Sequence, residues 1–175
     1  MRSNTLTKPV AVGIDGSQAA MIAAVWAADE AIARDVPLRL VYVNSPDSAL
    51  PGNAYRAGIA ELALRVAAKA VADLEKPVKV ETVLLTGPPR RDFAAKALIR
   101  ESRHASMLAL GPVGLGRMAA TVLGATATTV TQRAKCPVAI VSRPAPSGQA
   151  VAVVVDPSEG PTAASSPAGA SAAAR

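Results

Sequence analysis

The chain has 175 residues, 50% hydrophobic and 18% charged, which suits one domain with a sizeable core, is too short for two full ones, and is too apolar for intrinsic disorder. Its net charge is +6, yet no run of basic residues exceeds Arg90-Arg91 and aromatics are only 2%, so nucleic acid is not expected as a partner. Cys136 is the single cysteine, which excludes an intrachain disulfide and a cysteine-rich zinc site.

The first thirteen residues hold no apolar signal core, and no apolar stretch is long enough to span a bilayer; the chain is expected to be soluble and cytoplasmic, away from membranes. The first strand is expected at residues 9–14 (PVAVGI). A helix follows over 18–34, with Ser17 as its N-cap and Met21, Ile22, Val25, Trp26 and Ile32 at helical spacing. The second strand is expected at 37–43 (PLRLVYV). The second helix, 55–75, carries Ile59, Leu62, Val66, Ala70 and Leu74 as its apolar face and stops before Pro77. A third strand at 78–84 leads to a helix over 89–103 that opens with proline in its first turn and carries Phe93, Ala97 and Leu98. The fourth strand, 106–110, runs into a glycine-rich loop and a helix over 118–133 with Val122, Ala125, Thr129 and Val130; the fifth strand is 137–141.

Strands alternating with single helices pair in parallel, because each crossover returns the chain to the same edge. The expected architecture is α/β: a three-layer, open, twisted, five-stranded parallel sheet with helices on both faces. From residue 143 the composition turns to Pro, Ala, Ser and Gly and predicts a flexible tail. One island interrupts it. AVAVVVDPS at 150–158 matches PVAVGIDGS at 9–17, pairing Val10, Val12, Ile14, Asp15 and Ser17 with Val151, Val153, Val155, Asp156 and Ser158. Such a strand seeks a sheet edge. The domain is therefore set at 8–143 and the tail at 144–175, with a possible strand at 150–156.

Ligands of open parallel sheets bind beyond the carboxyl ends of the strands, where the order reverses. Two loops lie there: Asp15-Gly16-Ser17, entering the first helix, and Gly111-Pro112-Val113-Gly114-Leu115-Gly116, leading toward Gly124. Glycines let backbone N–H groups approach a phosphate, and a helix N-terminus adds partial positive charge. No Walker motif is present, and no G-x-G-x-x-G follows the first strand. Neither loop holds a histidine, a lysine or paired carboxylates that could activate water, so no catalytic residue and no protein metal site are assigned.

The spacing Gly111-x-x-Gly114, nine residues, then Gly124 is similar to the ATP motif of the universal stress protein family, G-x-x-G-x(9)-G-[ST]. VGIDGS, WAADEA, PLRLVYV and KCPVAIVSRP resemble the family too, and the likeness runs from Pro9 to Pro144. The chain is identified as a single-domain, actinobacterial-type member with a degenerate ATP-binding motif. The resemblance implies strand order 3-2-1-4-5 in an adenine nucleotide alpha hydrolase-like sheet, and a homodimer through the fifth strand. It further implies adenine and ribose held by Asp15 and backbone near Val43, phosphates by Gly111, Gly114, Gly116 and Gly124 with Ala125 and Thr126, and ATP or a related nucleotide, with magnesium, as ligand.

Three residues depart from the motif. Ala125 stands where the family has Ser or Thr, and adjacent Thr126 is turned about 100° away on a helix. Val113 stands where many members carry a basic or polar residue, and Pro112 lacks a backbone donor. The expected function is a stress-response regulator that binds an adenine nucleotide without efficient turnover, not an enzyme. The alternative is a nucleotide-free, dimeric interaction module.

Overall fold

The computed structural model describes residues 7–45, 53–112, 123–142, 150–157 and 160–165. The elements are β1 (Val10–Ile14), α1 (Gln18–Ala33), β2 (Leu38–Asn44), α2 (Asn53–Ala72), β3 (Val80–Thr86), α3 (Phe93–Glu101), β4 (Met107–Leu110), α4 (Ala125–Arg133), β5 (Val138–Ser142), β6 (Val151–Asp156) and β7 (Gly160–Ser165). They build one sheet in the order β3-β2-β1-β4-β5-β6-β7. The first five strands are parallel, as the alternation of strands and helices requires; β6 and β7 are antiparallel additions. One apolar cluster joins the sheet to α1 and α2, and a second, on the other face, joins it to α3 and α4.

The helices bury faces other than those with the largest side chains. On α1 the buried residues are Ala20, Ala23, Ala24, Ala27, Ala28 and Ala31 with Trp26, while Met21, Ile22, Val25 and Ile32 are half-buried. A face of methyl groups lets the helix axis come close to the sheet. On α2 the buried seam is Ala60, Ala63, Leu64, Ala67 and Val71, and the expected core residues Ile59, Leu62 and Val66 are exposed. Two apolar seams share this helix, and packing selected the one with smaller residues.

Two helices start later than the sequence suggests. Pro89 lies outside α3, which begins at Phe93 after Asp92, because residues 87–92 are held to the end of β2, where the Gly87 N–H donates to the Asn44 carbonyl and Ser45 donates its hydroxyl to the Pro88 and Arg90 carbonyls. Helix α4 begins at Ala125, with Gly124 extended at its N-cap; the expected earlier turn at 118–122 falls outside the described residues.

Ser102, fully buried, ties two elements together. Its hydroxyl donates to the Ile99 carbonyl at 2.7 Å and accepts the Lys135 N–H at 2.8 Å. Across the opposite end of the sheet from the β–α turns of interest, Arg39 on β2 bridges Glu81 at 3.1 Å and Glu101 at 2.9 Å.

The segment at 150–156 forms the anticipated strand, but β7 was not expected: Gly160-Pro161-Thr162 reads as a breaker, and it is strand because β6 offers a free edge. Strand β6 lies along β5 in a register running from Val138↔Val155 to Ser142↔Val151. The implied pairing of a second copy on β5 is thereby replaced within the chain. A tethered strand has a far higher effective concentration than a second molecule, so β6 takes the edge first.

Amide hydrogen exchange should show Val151–Asp156 protected to a degree approaching β5; exchange at the rate of free peptide would contradict this sheet. The Glu81 carboxyl is held below the usual carboxylate range, first by a hydrogen bond from Lys79 and then by Arg39, against burial. A depressed folded pKa means that this stabilisation is complete above the unfolded carboxylate range and drains away as pH falls through the folded value. Acid thermal melts of Lys79→Met should therefore lose less stability on acidification than those of the parent chain.

Candidate functional site

Strand β1 lies between β2 and β4, so the chain leaves it toward one side first and the other later, which opens a crevice at their carboxyl ends. The β1–β2 register ends at Ile14↔Tyr42 and the β1–β4 register at Val12↔Ala109. Val43 and Leu110 thus project beyond the last paired residues of β1. A cavity of about 290 Å³ sits there, walled by Asp15 and Ser17 of the β1–α1 turn, Val43 of β2, Leu98 of α3, Gly111 after β4, and Ala125 and Thr126 of α4.

The β1–α1 turn is built locally. Gly16 has φ +84, a conformation that glycine adopts without a Cβ penalty. The Asp15 carboxylate accepts the Ser17 N–H at 2.9 Å, and the Ser17 hydroxyl accepts the Ala20 N–H at 3.1 Å to cap α1. Asp15 thereby shapes the helix entry and lines the cavity at once.

Of the expected site residues, Asp15, Val43, Gly111, Gly124, Ala125 and Thr126 all line this one cavity. Gly114, Gly116, Val113 and Arg117 lie outside the described residues. Two of these glycines also carry structural roles. A Cβ on Gly111 would lie 2.8 Å from Ala19 Cβ and 3.0 Å from its carbonyl carbon, so this glycine is required by the approach of α1. The Gly124 N–H donates to the Pro112 carbonyl at 2.7 Å, joining the two ends of the loop. The first turn of α4 has no side-chain cap, and the leading N–H groups of a helix have no intrahelical acceptor.

Sequence reasoning missed Gly13, Val41, Ala94, Leu98, Leu110 and Ala127, which also wall the cavity. They are apolar, and their signal is position: Gly13 and Leu110 lie toward the carboxyl ends of β1 and β4, Ala94 and Ala127 in the first turns of α3 and α4, and Val41 and Leu98 midway along β2 and α3. Leu98 was visible as a helix-face residue but not as a cavity wall.

A second cavity of about 620 Å³ lies beside the first at Val43, between the end of β2 and α2, lined by Tyr42, Asn44, Ser45, Tyr55, Arg56 and Ile59. Burial raises the Tyr42 phenol above its usual range, aided by the Asp15 charge and opposed by Arg56, so the phenol stays protonated at neutral pH. Cys136 is away from both cavities, and burial pushes its thiol up to about 11, which leaves it a poor nucleophile. His104, Arg90 and Arg91 line neither cavity.

Residues 7–142 match the model of the universal stress protein family. The chain is 45% identical over 141 residues to universal stress protein Rv2624c of Mycobacterium tuberculosis, covering 80% of this chain and 50% of that one. It is 42% identical over 158 residues to universal stress protein Rv3134c of the same organism, covering 87% and 57%. The chain spans about half the length of these relatives. A crystal structure of a universal stress protein in complex with cAMP superposes with TM-score 0.58 at 27% identity, covering 77% of this chain and 96% of that one. The universal stress protein from Archaeoglobus fulgidus in complex with dAMP gives TM-score 0.60 at 20% identity, over 77% and 97%.

Replacing Gly111 by alanine should destabilise the chain by about 1–3 kcal/mol, because the added methyl meets α1 main chain that has no room to yield. Chemical denaturation checks this; an unchanged midpoint would mean that α1 sits farther from β4 than the structure has it.

Proposed function

The chain belongs to the universal stress protein family, and from that premise we propose that it binds an adenine nucleotide, ATP or a smaller relative, in the cavity at the β1–β4 switch point, as a stress-response regulator without efficient turnover. The observation that carries this reading is the convergence of the β1–α1 turn and the α4 N-terminus on one cavity. At about 290 Å³ the space is at the lower end for small-molecule sites, suited to a nucleoside with a short phosphate chain. The relative solved in complex with cAMP supports the same ligand class.

In this reading Asp15 accepts from ribose hydroxyls, the backbone at Val43 reads the adenine edge, and the first-turn N–H groups of α4 meet the phosphate. Gly114 and Gly116 belong to the proposed phosphate loop. Asp15 is the one carboxylate lining the cavity among the described residues, so a magnesium ion would arrive on the nucleotide's phosphates. Asp15 is also the one titratable side chain lining the cavity among the described residues, and it is engaged by the Ser17 N–H, which supports binding over turnover. The functional unit is residues 8–143, with 144–175 as an appended segment, and we place it in the cytoplasm as a homodimer. No helix of the described residues is long and apolar enough to cross a membrane.

A second reading, a nucleotide-free interaction module, is favoured by the two committed glycines: Gly111 packs on α1 and Gly124 closes a loop, so both are explained without a ligand.

Thermal melts with ATP, ADP, AMP and cyclic AMP separate the two. The binding reading expects the melting temperature to rise with ligand concentration, since ligand binding the folded state alone adds RT ln(1 + [L]/Kd). Asp15→Asn should abolish most of that rise while keeping the turn's acceptor oxygen. Ala125→Ser should tighten phosphate-bearing ligands about tenfold by adding a donor to a charged group. No rise with any of the four nucleotides, for the parent and the Ala125→Ser variant alike, would favour the interaction module.

A further inference from the structure

The chain holds two tyrosines, one phenylalanine and one tryptophan, and both tyrosines wall the second cavity. In a protein so poor in aromatic rings, that pairing singles out one place. Strand periodicity sets it apart from the first cavity. Tyr42 and Asn44 alternate with Val41 and Val43 along β2, and alternate residues face opposite sides of a sheet. Tyr42 packs with the α1–α2 cluster, whereas Val41 and Val43 pack with the α3–α4 cluster. Of the residues lining the second cavity, only Val43 also lines the first.

One charged side chain lines the second cavity among the described residues, that of Arg56. Its Nη1 donates to the Ser45 carbonyl at 3.4 Å, a long contact, and its Nε is buried with no acceptor. A buried donor without a partner is costly. A guanidinium carries five donors in a planar fork, which matches the two oxygens of a carboxylate. Burial and the Asp15 charge raise the Tyr42 phenol while Arg56 opposes them, so the field of this cation reaches the ring that walls the space.

We propose that the second cavity binds a planar aromatic carboxylate, with its carboxylate forked by Arg56 and its rings held among Tyr42, Tyr55 and Ile59. At about 620 Å³ the space accommodates a fused two-ring ligand. Tyr55 is 73% exposed and Ile59 43% exposed, which is apolar surface that such a ring covers. Asn44 and Ser45 add polar groups to the lining. A monoanion suits the site better than a phosphate, because a single guanidinium is the one cation lining it among the described residues. The proposal stands independently of nucleotide binding.

Calorimetric titration of the full chain with 2-naphthoate should show saturable one-to-one binding. Acetate, an anion without rings, and 2-naphthylmethanol, rings without an anion, should each bind at least about tenfold more weakly. Arg56→Gln should weaken 2-naphthoate by about tenfold or more, and Arg56→Lys by less, since it keeps the charge but not the fork. Tyr55→Ala, at an exposed position, should keep the melting temperature of the parent and weaken binding several-fold. Amide chemical shifts should move at Asn44, Tyr55 and Arg56 and stay in place at Gly111 and Thr126. No binding at millimolar 2-naphthoate, equal binding of either control compound, or full affinity in both Arg56→Gln and Tyr55→Ala would overturn the proposal. Shifts confined to Gly111 and Thr126 would overturn it too, by placing the ligand in the first cavity.

Discussion

The close approach of α1 to the sheet is the constraint on which the rest of the structure depends. Six alanines make that contact, and Gly111 has no side chain because Ala19 occupies the space where one would go. Closeness there draws the start of α1, and with it Asp15 and Ser17, against the end of β4. The two turns that line the cavity are neighbours for this reason. Larger side chains along α1 would lift its N-terminus and separate them.

The same economy of side chains leaves the core shallow. Burial free energy scales with apolar area, at about 25 cal/mol per Å², and an alanine offers little of it. Large residues that would deepen the core in another protein stand at the surface of α2. Additional covering layers follow from that shortage. The antiparallel pair β6 and β7 shields the β5 edge, with Ala152 fully buried and Ala150 and Val154 packed against the α1 side of the core. The outward seam of α2 is the remaining apolar surface of the same kind.

Polar groups are placed so that the parallel sheet stays rigid where the site needs it. Ser102 holds the end of α3 to the chain entering β5 through one donated and one accepted bond. Arg39 joins β2, β3 and the end of α3 at the far end of the strands. Neither touches the cavity, yet both fix elements whose opposite ends wall it. Asp15 links the two tasks, since one carboxylate oxygen organises the helix entry on the cavity's own wall.

The sequence by itself determined the five parallel strands, their order through the family resemblance, the placement of a sixth strand, and six cavity-lining residues at strand ends and helix starts. These are legible because β-branched runs, helix periodicity and turn chemistry are local properties of the chain. Tertiary structure alone decided which seam of α2 is buried, because two seams of similar period compete and the sheet accepts the one that lets the helix come closer. It also decided that Gly111 and Gly124 serve packing and loop closure, since the atoms they meet, in Ala19 and Pro112, are distant in sequence or across a loop. And it converted the breaker-rich stretch at Gly160 into strand, because an edge offers backbone partners to any chain that can reach it, whatever its local preference.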